Sequence, residues 1–78
     1  MTLTLTGTVQ RVEIGVGTWA IAATDGLQYE LYRPTPDLQV EGLRVEATGT
    51  IREDVMTMAA IGPVFQVTRF SPLPATGT

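Results

Sequence analysis

From its second residue the chain alternates threonine with apolar or small residues. Leu3, Leu5, Gly7 and Val9 fall on one parity, and Thr2, Thr4, Thr6 and Thr8 on the other. A period of two marks a β-strand with one buried face, because successive side chains leave a pleated backbone on opposite sides. β-branched threonine suits the exposed face, since its χ1 is already restricted there. The alternation returns in Trp19, Ile21 and Ala23, in Leu27, Tyr29 and Leu31, and in Val45, Ala47, Gly49 and Ile51. No segment has the spacing of a helix of three or more turns. An all-β domain of five to six strands follows.

After Val9 the apolar parity flips to Val12 and Ile14. One inserted residue near Gln10 and Arg11 would cause the flip, so a β-bulge is expected there, in a long first strand that curls to close the sheet. Gly15-Val16-Gly17 reads as a loop. The second strand, Thr18 to Thr24, places Trp19, Ile21 and Ala23 inward and Ala20 and Ala22 outward. Asp25-Gly26 predicts a two-residue type I′ hairpin turn into a third strand, Leu27 to Tyr32. Pro34 and Pro36 exclude a central strand between Arg33 and Gly42, where Asp37 to Val40 has room for one helical turn. A fourth strand runs from Leu43 to Arg52, and a short one is expected around Met56 to Ala59. The last strand, Val64 to Phe70, follows the Gly62-Pro63 break. Its inward face is open, because Phe65 and Val67 share one parity while Val64 and Phe70 share the other. The barrel domain is thus expected over 1–71, with a disordered tail over 72–78.

With 78 residues, a single domain buries about 60% of its unfolded surface, which suffices without staples. None is available: cysteine and histidine are absent, excluding disulfides, thiolate chemistry and the usual zinc ligand sets. At 44% hydrophobic and 17% charged residues the chain can fill a core. The net charge is −3, and every basic residue is arginine. Neither a signal peptide nor an apolar span of membrane length is visible, so the cytoplasm is the default location and no membrane contact is expected.

The long bent first strand through Gly7, the Trp19/Asp25-Gly26/Tyr29 hairpin, Gly42 before strand four and Gly62-Pro63 before the last strand together resemble a known family type. Between Leu3 and Phe70 the chain is similar to small bacterial domains of unknown function with the oligonucleotide/oligosaccharide-binding (OB) fold. The resemblance implies a five-stranded Greek-key barrel, closed or partly open. The bulge expected at Gln10–Arg11 and the alternation of Val45 to Ile51 lead to the expectation that strand one pairs with both strand two and strand four. A helix often joins strands three and four in that fold, and the link from Arg33 to Gly42 is short for one. An SH3-like barrel is the alternative. The resemblance also implies a binding face on strands two and three and their flanking loops. In this chain that face comprises Ala20, Ala22, Gln28, Glu30 and Tyr32, with Gly15 to Gly17 and Arg52 to Val55 at its rims. Arg33, Arg44 and Arg52 complete the candidate set, Arg44 and Arg52 sharing the outer face of strand four.

A single-strand binder needs several stacking aromatics in a basic groove. Here Tyr32 stands beside Glu30, and Glu53-Asp54 occupies one rim, so nucleic acid is an unfavoured partner unless Tyr32, Arg33 and Arg44 form a local patch. Trp19 and Tyr29, on inward parity, are expected in the core. Without histidine or cysteine, acid–base chemistry falls to carboxylates, and adjacent Glu53 and Asp54 on a strand end diverge. No catalytic residue, metal site or cofactor is expected. Leu73-Pro74-Ala75-Thr76-Gly77 looks like a sortase sorting signal but lacks the following apolar span and basic tail, so it reads as coincidence. The expected function is a non-enzymatic module contacting a protein partner or, weakly, a second copy. The alternative is single-stranded nucleic-acid or oligosaccharide binding on the strand two–three face.

Overall fold

A computed structural model describes residues 2–13, 17–55 and 61–74. The fold is all-β: β1 (Thr2–Val12), β2 (Thr18–Ala23), β3 (Gln28–Leu31), β4 (Arg44–Ile51) and β5 (Val64–Pro72). They form one sheet that closes in a ring, in the order β1-β2-β3-β5-β4. β1 pairs antiparallel with β2 through Gly7 to Val12 and with β4 through Thr2 to Thr8, as expected of a curled first strand. Gly7 and Thr8 belong to both ladders. At Gly7 a Cβ would collide with the Ala22 carbonyl oxygen, so the absent side chain lets the strands approach where β1 passes from one partner to the other.

The bulge expected at Gln10–Arg11 is not there. The β1–β2 register runs unbroken from Gly7↔Ala23 to Val12↔Thr18. Arg11 keeps the inward parity but is exposed, because the strand has run past the end of the core. The irregularity lies between β4 and β5, where Thr48 faces Arg69 but Gly49 faces Val67. Thr68 is the extra residue, and its hydroxyl donates to the Thr48 carbonyl at 2.9 Å. That insertion settles the inward face of the last strand: Phe65, Val67 and Phe70 all pack on the core although their parity changes.

The β2–β3 hairpin forms as expected, with a different turn. Gly26 N–H donates to Ala23 O at 3.1 Å, Ala23 N–H donates to Leu27 O at 2.9 Å, and Gly26 has φ +91° while Asp25 does not have positive φ. This is a three-residue type I turn closed by a glycine bulge, not a type I′ turn. The extra loop residue leaves Leu27 exposed at 53%, outside β3 and outside the core assigned to it. Trp19 packs against the core half-buried, whereas Tyr29 is buried as expected.

Phe65, Ile21, Leu38, Val9 and Val45 are the largest fully buried side chains. Leu38 comes from the Arg33–Gly42 link, which forms turns instead of a helix: Leu38 N–H bonds Thr35 O at 2.9 Å and Gln39 N–H bonds Pro36 O at 3.1 Å. β5 outlasts its expected end. Val45 faces Pro72, and Leu73 N–H donates to Arg44 O at 2.8 Å, so the sheet takes in the first residues assigned to the tail. The strand expected around Met56 to Ala59, loop residues Gly15 and Val16, and residues 75–78 of the tail lie outside the described residues. Among the described residues no helix is long and apolar enough to cross a membrane.

Candidate interaction site

The site begins where β3 stops. Tyr32 N–H donates to the Phe65 carbonyl at 2.9 Å, the last bond from β3 to β5. Arg33 then turns the chain with φ +48°, the one non-glycine residue with positive φ among those described. A left-handed conformation costs an ordinary residue on the order of 1 kcal/mol, and Pro34 restricts Arg33 further. The turn carries the Arg33 guanidinium back over the Tyr32 ring, with Cζ 5.4 Å from its centroid.

Arg52 reaches the same ring from the end of β4, with Cζ at 5.1 Å. Its main chain is tied to β5 through Arg52 N–H to Val64 O at 2.7 Å. Its guanidinium is held in a fork: Nε donates to Asp54 Oδ1 at 3.0 Å, Nη2 to Asp54 Oδ2 at 2.8 Å, and Nη1 to Gln66 Oε1 at 2.7 Å. The Arg52 bonds hold the Asp54 carboxyl well below the usual carboxylate range, at about 2, and a bond to its own backbone adds to this. Tyr32 is therefore an aromatic fixed by two cations, one of which is neutralised by a carboxylate.

The other expected site residues do not gather here. Ala20 has no exposed surface and Glu30 keeps 5%. Both lie on the face of the sheet away from the core, paired as Ala20↔Glu30 and continued by Glu30↔Val64, a row that is buried throughout. Outward parity failed as a guide to exposure at these positions. Ala22 and Gln28, a cross-strand pair, are half-buried, and Gln28 Nε2 lies 3.5 Å from Gln10 Oε1. Arg44 starts β4 whereas Arg52 follows its end, so the strand separates them by roughly 25 Å. The patch of Tyr32, Arg33 and Arg44 does not form, and Arg52 takes the place of Arg44.

A cleft of about 300 Å³ adjoins Tyr32, floored by Leu31, Leu38, Val67 and Phe70 and edged by Arg33 and Arg69. Neither Leu38 nor Arg69 stood out in the sequence. The cleft depends on the parity change at Thr68, which brings Val67 and Phe70 to one side. Among the described residues no three metal-ligating side chains converge. Comparisons with protein-family models, curated proteins and solved structures find no significant match to this chain.

Proposed function

We propose that this chain is a non-enzymatic interaction module of the OB type, and that it contacts a protein partner or a second copy through the Tyr32–Arg33–Arg52 end of the sheet. The OB reading is supported by the ring order, with β1 between β2 and β4 and β5 between β3 and β4. One observation carries the choice of surface: a tyrosine ring under two guanidiniums beside a cleft with an apolar floor. Tyrosine and arginine are among the residues that most often dominate protein contacts, because both join a large contact area to polar ends. The β2–β3 face supports this choice by its poverty, since Ala20 and Glu30 are buried.

Single-stranded nucleic acid is the second reading, favoured by Arg33 and Arg69 on one cleft. Weighing against it, Arg52 is neutralised by Asp54, Asp37 shares the cleft and the chain carries −3 overall. Counterion release needs several unneutralised cations on one face. The test is a dilution series of the labelled protein followed by amide NMR and sedimentation velocity, alongside anisotropy of an oligothymidine across a salt series. Concentration-dependent shifts around Tyr32, abolished in Tyr32→Ala, are expected. Tight oligothymidine binding with a steep salt slope would transfer the assignment to the second reading.

A further inference from the structure

β3 and β5 run side by side for only two pairs, Glu30↔Val64 and Leu31↔Phe65. β5 then continues to Pro72 with β4 on one side and no described strand on the other. Phe65 turns its carbonyl toward β3, so by strand alternation Val67 turns its N–H and C=O the same way, into the seam. An open run of backbone donors and acceptors above an apolar floor is a template for another extended chain. The bulge at Thr68 and the missing N–H of Pro72 limit this run to a short stretch, which discourages open-ended sheet growth.

Charge defines the occupant further. Arg33 and Arg69 edge the cleft, and neither forms an ion pair among the described residues, unlike Arg11 with Glu13 and Arg52 with Asp54. Among the described residues Asp37 is the single acid lining it. We infer that the β3–β5 seam takes an extended acidic polypeptide segment as an added strand on β5, its carboxylates meeting Arg33 and Arg69. Only a polypeptide supplies the amide ladder that this edge lacks; a nucleic-acid strand has the anions but not the ladder. The inference rests on the interaction-module reading and specifies its partner.

The experiment titrates the full-length labelled protein with short capped peptides of alternating valine and glutamate, with the valine–lysine counterpart, and with an N-methylated valine–glutamate version. Saturable amide shifts at Leu31 to Leu38 and Val67 to Phe70, with slowed exchange of the Val67 N–H, are expected for the acidic peptide. The lysine and N-methylated peptides should bind roughly tenfold more weakly, the scale of losing one charged or ladder hydrogen bond. Arg69→Glu, a change at an exposed position, should reverse the preference between the two charged peptides. Equal binding of all three peptides, shifts confined to another face, or silence up to about 10 mM would overturn strand addition. If dilution still perturbs Tyr32 while the acidic peptide leaves Val67 unmoved, strand addition falls and the interaction reading survives. Silence in both experiments removes both.

Discussion

Asp25 ties the β2–β3 turn together with one carboxylate. Oδ1 accepts the Leu27 N–H at 2.8 Å, and Oδ2 accepts the Tyr29 hydroxyl at 3.1 Å. Asp25→Ala removes both acceptors and should lower the unfolding free energy by about 1–2 kcal/mol, read from urea midpoints. Burial raises the Tyr29 pKa above 10.0, and the bond to Asp25 and its charge push the same way. A raised folded value means the fold favours the protonated phenol. That contribution is full below the unfolded pKa and is lost as pH rises through the folded one. Wild-type midpoints should therefore fall above about pH 10 more steeply than those of Tyr29→Phe. Asp54 behaves in the opposite sense. Its pKa is depressed to about 2, so its contribution is present above the unfolded value of 3.8 and disappears as pH falls through 2. Asp54→Asn should flatten the acid side of the stability profile. The exposure of the pair to solvent keeps the effect small.

At the scale of strands, β1 and β5 show the same pattern with different causes. Each changes apolar parity partway along, from Leu5 and Val9 to Val12, and from Phe65 and Val67 to Phe70. In β5 the change is an inserted residue; in β1 it is the point where the strand leaves the core. Deleting Thr68 should leave Phe70 inward, because Phe65, Val67 and Phe70 then alternate regularly opposite Ile51, Gly49 and Ala47, and should cost no more than about 1 kcal/mol, the worth of the lost Thr68 bond. Thr68→Ala should cost about 1 kcal/mol, since only the bond to Thr48 O is removed. Gly49, beside the bulge, has no space for a side chain: a Cβ there would overlap the Gln66 carbonyl oxygen. Gly49→Ala should destabilise by about 1–3 kcal/mol, the usual cost of overfilling a closed interior. Chemical denaturation of the three variants measures these outcomes.

For the molecule as a whole, the core rests on residues that differ widely in how visible their patterns are. Phe65 is fully buried in β5, and Leu38 reaches the core from the link between β3 and β4. Phe65→Ala should cost about 3–5 kcal/mol and Leu38→Ala about 2–5 kcal/mol, whereas half-buried Trp19→Ala should cost less than Phe65→Ala. Against a total of about 5–15 kcal/mol for a native domain, either of the first two threatens folding, and thermal or urea unfolding will rank them. A lone leucine between prolines and polar residues has no periodicity to reveal it, so Leu38 was invisible before the ring was closed. Parity reads Tyr32 as exposed, whereas the structure half-buries it. Its partners were not legible, since Arg52 reaches it across the β4–β5 side of the ring and Arg44, on the same strand face, does not.

The sequence by itself determined the all-β class, the positions of the five strands and the β2–β3 hairpin. Alternation and turn residues act through each segment's own backbone, so these features are local. Tertiary structure alone decided which parity change is a bulge, which outward residues are buried and which arginine meets Tyr32. Each of these depends on the strand lying alongside, and a ring closed through β3 and β5 sets those neighbours by its global register.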